Sequence, residues 1–491
     1  MRFNKVMKFG GGCLRDADGF RRAAEIILNE TLPPIAVVSA VSGVTDALEQ
    51  GLARAVKNES GVVRTIRILR SRHNDLAASL IPSEEILKET LDQNEIRLHR
   101  LEKLLRGAAL TGEASPYTRA HILSFGERWA AILLAAVLRA KGMDARAMES
   151  EMIGLAADET PDEATADLPA FRRAAARNAL VLEAGRFVPV ITGFYGVTPK
   201  RKIASFGRNG SDYSAAVITA GLRVRILEIW KDVDGFMTAD PKRIPAAKGI
   251  ARLSFVEAAE LAYFGAKVLH PRTLEPLAGE NVTIRIRHLD HPDRPGTEIC
   301  PEGRTTEPVL KSVTLNNRIA VLRIQGAGVG RRPGIIGLIG QCLADRGVNI
   351  LSVITAQTTI NLLVAEADAR VALTAIKTIR RGVITRVELE TDLALVAAVG
   401  EGISAAKGLA GRMFTAVSDA GVNVEMISSG ASPVATYFLV RKADALPSVR
   451  ALHAEFFEPD EKEDPLPLST SRPVPVRFFS GKPDGPRPGS R

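Results

Sequence analysis

The apolar run Ile35-Ala36-Val37-Val38-Ser39 shows no polar alternation. A strand of that kind must be covered on both faces, as in a parallel sheet flanked by helices. An earlier strand, Val6-Met7-Lys8-Phe9, is broken by Gly10-Gly11-Gly12. A helix is expected next, from about Asp16 to Leu28, with Phe20, Ala23, Ala24 and Ile27 on one face. Strand, glycine turn, helix and strand make one βαβ unit, which commits the N-terminal part of the chain to an α/β fold. The glycine turn falls at the carboxyl end of its strand, where open α/β sheets bind ligands. Lys8 precedes it, so backbone N–H groups and an ammonium can cradle phosphates together. The Gly-Lys-Ser/Thr order of the usual phosphate loop is absent.

A second glycine turn, Gly207-Arg208-Asn209-Gly210-Ser211-Asp212-Tyr213-Ser214, opens another helix at the apolar run Ala215-Ala216-Val217-Ile218. Its glycines let a ligand approach the backbone, and Arg208 offers a planar fork for a carboxylate or phosphate. Free N–H groups and the positive end of the helix dipole make the turn a place for an anion. The same residues also suit an ordinary loop with a capped helix.

Between these turns, Ser39 to Thr45 is a small-residue turn, and Asn58 to Leu110 reads as a mainly helical insertion with solvated faces and no chemistry. A helix is expected from Ser124 to Leu138, in which Glu127 is the one acid. Its position in the first turn suits the helix dipole. Val188–Thr192, Arg225–Trp230 and Val282–Ile286 read as further strands. Lys231-Asp232-Val233-Asp234-Gly235 and Thr238-Ala239-Asp240-Pro241 either bind a metal or cap and turn. Ser254-Phe255-Val256-Glu257 is a capping box. The helix it starts ends at Gly265-Ala266-Lys267-Val268-Leu269-His270-Pro271, bringing a second lysine towards the sheet; His270 and His288 read as structural.

At 491 residues the chain needs about three domains. No apolar run reaches the ~18 residues that span a bilayer, and the N-terminus leads straight into a strand, so neither a membrane nor a signal peptide is expected. Cys13, Cys300 and Cys342 form no metal or disulfide spacing, which points to reduced thiols and a cytoplasmic location. The net charge is +9, of which +4 lies beyond Pro465, and aromatics are only 5%. Scattered basic residues with few aromatics favour small anionic substrates over nucleic acid.

Residues 1 to about 300 resemble an aspartate kinase of the amino-acid-kinase superfamily. The resemblance rests on the opening strand and glycines, the Arg-x-Gly-Ser-Asp-Tyr turn, Trp230-Lys231-Asp232-Val233-Asp234-Gly235, and above all the segment from Glu257 to Pro271. It implies an α/β/α sandwich with a mainly parallel sheet over residues 1–300. Lys8, Gly10 and Gly11 would sit on the phosphates of ATP, and Lys231, Asp232, Met237, Lys242, Lys267 and Val268 would line the nucleotide site. Thr45, Glu127, Arg208, Asn209, Gly210 and Ser211 would hold L-aspartate, with Arg208 on a carboxylate and Glu127 facing the ammonium. Lys8 and Asp212 would be catalytic, Asp212 ordering the lysine. Mg²⁺ would be carried by the nucleotide's phosphates, with no protein residue assigned to it. The chain departs from the family pattern at Gly12 and Cys13 (usually Thr-Ser), Asn209 (usually Gly), Lys231 (usually Thr) and Met237 (often Tyr).

The second half repeats. Asp345-Arg346-Gly347-Val348-Asn349 recurs as Asp419-Ala420-Gly421-Val422-Asn423, an offset of 74 residues (421 − 347). Gly334 and Gly408 keep that offset, as do the expected strand starts Ile319 and Leu393. Each unit reads as strand, glycine turn, helix, Gly-Val-Asn, strand: an α+β pair. The pair resembles the tandem ferredoxin-like ACT regulatory domains of aspartate kinases, placed here at 312–386 and 387–457. In that family the first unit is inserted within the second. The resemblance implies a homodimer or larger assembly and an amino-acid effector, lysine, threonine or methionine. Gly334 and Ile335 would receive its carboxylate, and Asn349 and Gln357 its other polar groups. From 458 to 491 an acidic stretch and then Pro, Gly and Arg predominate, which is too little apolar surface to order; a disordered tail is expected. The whole implies an aspartate kinase, with two alternatives: a kinase for another carboxylate acceptor, or a non-catalytic amino-acid sensor.

Overall fold

The computed structural model describes residues 3–178, 185–266, 268–301, 309–379, 384–403 and 405–458. The chain opens with β1 (Val6–Phe9), α1 (Ala17–Leu28), β2 (Ile35–Val38) and α2 (Val44–Lys57). A helical stretch follows: α3 (Ser60–Leu80), α4 (Glu84–Thr111), α5 (Pro116–Leu123) and α6 (Phe125–Ala140). Then come β3 (Ala145–Met148), α7 (Ser150–Ile153), α8 (Leu168–Arg177), β4 (Val188–Thr192), β5 (Tyr195–Val197) and β6 (Ile203–Ser205). The region closes with α9 (Gly210–Gly221), β7 (Ile226–Lys231), β8 (Arg252–Ser254), α10 (Phe255–Tyr263), β9 (Thr283–His288) and β10 (Thr297–Cys300).

Eight of these strands form one sheet in the order β3-β4-β2-β1-β7-β9-β10-β8. All its pairings are parallel except β9 with β10. Every residue of β1 and β2 is buried, as unalternated strands require. Val6, Ile35 and Val37 join the core under α9, while Met7, Phe9, Ala36 and Val38 join the core under α1 and α6. The result is the expected α/β/α sandwich. From β1 the chain runs to β2, β4 and β3 on one side and to β7 and β9 on the other. The β1–β7 seam is therefore a topological switch point, where α/β sheets open a ligand crevice.

Local signals mostly hold. Asp16 caps α1 by accepting from the Gly19 N–H at 2.9 Å. Ser254 and Glu257 form the reciprocal capping box, at 3.1 and 2.8 Å. The helical insertion is an α3–α4 hairpin whose Leu69, Leu98, Leu101 and Leu105 are buried. The span Pro116–Ala140, α5 and α6 together, is apolar enough to cross a bilayer by composition, but 94% of its most apolar window is buried inside the fold. It is the core helix behind the sheet. His270 and His288 cap local turns through Nδ1, accepting from the Arg272 and Asp290 N–H groups, and are structural.

The repeat comprises β11 (Ser312–Asn316), β12 (Ile319–Gln325), α11 (Ile335–Ala344), β13 (Ile350–Thr355), β14 (Thr359–Ala365), α12 (Ala369–Lys377) and β15 (Arg386–Glu390). Its second half is β16 (Leu393–Val399), α13 (Leu409–Asp419), β17 (Met426–Ser429), β18 (Ala435–Arg441) and α14 (Ala445–Phe457). Gly334 and Gly408 cap α11 and α13 with φ of +84° and +80°, left-handed values that explain glycine at both. Two four-stranded sheets result, β13-β14-β12-β15 and β11-β16-β18-β17. The division expected at 312–386 and 387–457 is corrected at its edges. β11 pairs with β16 in the second sheet, Ser312 opposite Val399, although it precedes the first unit. β15 runs to Glu390 on β12. The repeat marks the strand–helix–strand core of each unit; which sheet an edge strand joins is decided by pairing across the chain, and the first unit is inserted within the second. The tail expected from 458 lies, beyond Glu458, outside the described residues.

Candidate active site

The carboxyl ends of β1, β2, β4 and β7 converge on the amino end of α9. A Cβ on Gly193, after β4, would stand 2.7 Å from Ser211 Cβ, so glycine there lets the helix start press against the sheet. The Gly10–Gly12 loop is close on every side. Added Cβ atoms would meet Lys8 Nζ and the Ala40 carbonyl at 3.3 Å, and the Asp232 carboxylate at 3.4 Å. Cys13 and Leu14 N–H groups both donate to Gly10 O at 3.0 Å, closing the loop as a tight turn. Such a cradle, with an ammonium beneath it, suits a polyphosphate.

One buried carboxylate organises the charges. Asp212, in the first turn of α9, is 2% exposed. Its Oδ1 forms an ion pair with Lys8 of β1, and its Oδ2 one with Lys231 of β7 at 3.0 Å. Burial alone would raise the acid, but the Lys8 and Lys231 ammonium groups outweigh it and hold it down at about 2. Asp212 is thus a fixed anion near neutrality, with a cation on each oxygen. Lys231 was read from the sequence as a departure that removes a hydroxyl; the structure makes it a second ammonium at the seam.

Glu127 has the opposite environment. It lies in the first turn of α6, 4% exposed, and Oε1 accepts from the Ala40 N–H at 3.1 Å. Oε2 is buried without a hydrogen-bond partner among the described residues. Burial pushes the carboxyl up to about 8, against smaller opposing effects of the Ala40 N–H and Lys8. A buried oxygen without a donor is a place for an incoming cation. Cys13, the other departure in the loop, donates its thiol to Trp230 O at 3.1 Å, and burial pushes that thiol up to about 11. It keeps the donor a serine would have and pins the glycine loop to β7.

The glycine turn before α9 is open to solvent at Arg208 and Asn209. Arg208 is exposed and forms no ion pair with a described residue. Asn209 adopts φ +58°, left-handed backbone, where asparagine is tolerated better than most side chains. That accounts for its standing where the family usually has glycine. A Cβ on Gly210 would approach Phe194 O to 2.9 Å. Thr45 is half-buried in the first turn of α2, the helix that follows the β2-end loop held by Glu127 through Ala40.

Asp232 and Lys242 are exposed on the segment between β7 and β8, Met237 is half-buried and bridges to Gly249, and Val268 is half-buried after α10. Lys267 lies outside the described residues. Among the described residues no group of three or more His, Cys, Asp or Glu side chains is arranged to hold a metal ion.

In the first repeat unit, Gly334 and the buried Ile335 start α11. The Gly330 N–H donates to Gln357 O at 3.2 Å, bringing the exposed Gln357 beside that turn. Asn349 is exposed just before β13. The two units face one another across Tyr437, whose hydroxyl hydrogen-bonds Ser352 Oγ at 2.5 Å.

Sequence reading missed a buried ionic group beside this site. Arg128, next to Glu127 and 4% exposed, pairs with Glu149 and, at 2.7 Å, with Glu151. Tyr195 donates to Glu151 at 2.9 Å. The apolar neighbours of Arg128 on α6 gave the one available signal: an arginine on a buried helix needs carboxylates.

The sequence model of the amino acid kinase family matches residues 5–288, and that of an ACT domain matches residues 396–456. Aspartokinase 2, chloroplastic, of Arabidopsis thaliana is 30% identical over 470 residues, covering 93% of this chain and 84% of the relative. Bifunctional aspartokinase/homoserine dehydrogenase 2, chloroplastic, of the same plant is 29% identical over 466 residues, 92% of this chain and 50% of the relative. The chain thus spans about half the length of the bifunctional curated relatives it matches. Among solved structures, E. coli aspartokinase III in complex with lysine and aspartate (T-state) superposes with a TM-score of 0.77 at 28% identity, covering 92% of this chain and 99% of that one. The same enzyme in complex with aspartate and ADP (R-state) gives 0.76 at 27% identity with the same coverage. With the family model spanning more than half of its length and a relative 30% identical along most of that relative, the chain belongs to the aspartokinases of the amino acid kinase family.

Proposed function

We propose that this chain is an ATP-dependent aspartate kinase. It transfers the γ-phosphoryl group of ATP to the side-chain carboxylate of L-aspartate, giving 4-phospho-L-aspartate and ADP. The observation that carries this reading is Asp212 with an ammonium on each oxygen, Lys8 and Lys231, beneath the glycine loop at the β1–β7 seam. Phosphoryl transfer needs positioning and positive charge more than covalent help from the protein. The acceptor carboxylate is already ionised, so one of its oxygens bonds to the γ-phosphorus as the bridging P–O bond breaks, and the electron pair leaves with ADP. No general base is required, and Asp212, held at about 2, is not suited to be one.

In this reading Lys8, Lys231 and the Gly10 and Gly11 N–H groups neutralise the phosphates, while Asp232, Met237, Lys242, Lys267 and Val268 line the rest of the nucleotide site. Arg208 forks onto an aspartate carboxylate beside Asn209, Gly210 and Ser211. Thr45 and Glu127 take the other end, the buried Glu127 carboxyl ionising against the substrate ammonium. Mg²⁺ would enter on the nucleotide's phosphates, where it would offset charge as the transfer proceeds.

E. coli aspartokinase III is described with lysine, with aspartate and with ADP. That supports an amino-acid effector at the repeat units here, with Gly334, Ile335, Asn349 and Gln357 as the site, in a cytoplasmic homodimer or larger assembly. The product would supply lysine, threonine and methionine synthesis. A coupled assay for ADP release dependent on aspartate tests the reading. The wild type should turn over, and Lys8→Ala should lose activity by several orders of magnitude while remaining folded, with a lower melting temperature because the buried Asp212 loses one of its cations. Near-normal rates in that variant would remove Lys8 from the phosphate site.

A further inference from the structure

The segment between β7 and β8 leaves the large sheet and folds back on itself. The Thr238 N–H donates to Lys248 O at 2.9 Å and the Ile250 N–H to Phe236 O at 2.8 Å. Its outer side is covered by the second repeat unit. Ala239 and Ile244, 4% and 5% exposed, share an apolar cluster with Leu310, Val313, Val449 and Phe457. Main-chain ties follow the same route. The Val313 N–H donates to Thr238 O at 2.8 Å, Ser312 Oγ to Met237 O at 2.8 Å, and Lys248 Nζ to Phe457 O at 3.0 Å. This piece of the kinase region is thus built into the regulatory core.

At its centre is a polar relay that runs from the buried Thr238 and His453 out to the exposed Glu458. Thr238 Oγ1 lies 2.9 Å from His453 Nε2, and His453 Nδ1 lies 2.5 Å from Glu458 Oε1. Thr238 is 8% exposed and His453 fully buried. Thr238 Oγ1 already accepts from the Lys248 N–H at 2.9 Å, so its own proton is available to Nε2. That leaves the Nδ1–H to donate to Glu458, which fixes the tautomer and the ring orientation. The Thr238–His453 contact is buried and joins residues 215 apart in sequence, and burying two polar groups inside an otherwise apolar cluster is a costly way merely to fill space.

We propose that His453, oriented by Glu458, is a positioning residue for the nucleotide side of the active site. It holds the Thr238 hydroxyl, and through it the segment that carries Met237 and Lys242. The proposal rests on the reading above in which that segment lines the ATP site. α14 thereby sets nucleotide affinity, while the aspartate side, built from α2, α6 and the turn before α9, does not depend on it.

The test compares Thr238→Val with Thr238→Ser, and Glu458→Ala with Glu458→Gln, in the full chain. KM for ATP, KM for aspartate, kcat, the Kd for ADP by calorimetry and the melting temperature are measured. Thr238→Val should raise KM for ATP and Kd for ADP about five- to tenfold, with KM for aspartate changed less than about twofold, as for one buried hydrogen bond. Thr238→Ser, which restores the hydroxyl, should recover most of the loss, and Glu458→Gln should recover most of that caused by Glu458→Ala. Both Michaelis constants rising together, unchanged ADP affinity in Thr238→Val, or no rescue by serine would overturn the proposal. A wild-type chain that binds no adenine nucleotide would overturn both this proposal and the kinase reading. Wild-type binding that Thr238→Val leaves unchanged would overturn this one alone.

Discussion

Glu127→Gln should make the substrate-free protein more stable at mildly alkaline pH while weakening its grip on aspartate. The Glu127 carboxyl is pushed by burial from 4.5 to about 8. Between those values the folded protein keeps a proton that the unfolded chain has released. This stabilising contribution is complete below pH 4.5, fades as pH rises through the window, and is gone above about 8. At about 1.4 kcal/mol per pH unit, the window amounts to a ceiling of about 5 kcal/mol. Glutamine cannot ionise, yet its carbonyl can still accept from the Ala40 N–H, so the variant lacks the slope without losing the observed hydrogen bond. Melting temperatures across pH 5 to 9, without substrate, would give near-equal stability at pH 5 and a variant several degrees more stable at pH 8.5 if roughly that free energy is expressed. KM for aspartate should rise at least about tenfold, since a neutral amide no longer faces the substrate ammonium. Parallel pH profiles for the two proteins, or a variant less stable at pH 8.5, would refute the assignment of Glu127 as a buried acid that ionises only against its ligand.

Arg208→Lys should raise KM for aspartate by an order of magnitude or so and leave KM for ATP nearly unchanged, because an ammonium cannot reproduce a bidentate carboxylate contact; equal effects on both substrates would move Arg208 to the nucleotide side. Asp212, lowered from 3.8 to about 2, contributes on the order of 2 kcal/mol that is present above pH 3.8 and lost as pH falls through 2. Asp212→Asn should therefore melt lower at pH 7, lose most of its turnover, and approach wild-type stability on acidification below pH 4, which a pH series of melts can check. Gly334→Asp places a negative charge at the start of α11, so it should relieve inhibition by lysine, threonine or methionine while sparing uninhibited turnover. If none of these amino acids changes the rate or the melting temperature of the wild type, the effector site is wrong.

What was legible in the sequence was whatever a short window contains. The unalternated Ile35–Val38 demanded a covered parallel sheet, as observed, and the matched glycine turns at 334 and 408 announced helix starts, to which the structure adds their left-handed backbone. The Ser254–Glu257 capping box was likewise local. What was not legible depends on partners far along the chain. Lys231 looked like a lost hydroxyl because nothing near it shows that Asp212 waits across the β1–β7 seam. Ser312–Asn316 sits next to β12 in sequence but pairs with β16, since an edge strand follows the sheet that offers it hydrogen bonds. The short strands at Ala145–Met148, Arg252–Ser254 and Thr297–Cys300 carry too few residues for a period to emerge. Thr238 and His453 carry no mutual signal at all, because each is ordinary in its own neighbourhood.

The central claim is that the Lys8–Asp212–Lys231 centre phosphorylates aspartate rather than another carboxylate. The most direct measurement traps the acyl phosphate with hydroxylamine while following ADP release, with aspartate, glutamate and N-acetylglutamate offered separately with Mg²⁺ and ATP. The account predicts hydroxamate and ADP in equal amounts from aspartate, with the other two acceptors slower by at least about a hundredfold. Faster reaction with glutamate or N-acetylglutamate, or no hydroxamate from any of the three, would contradict it.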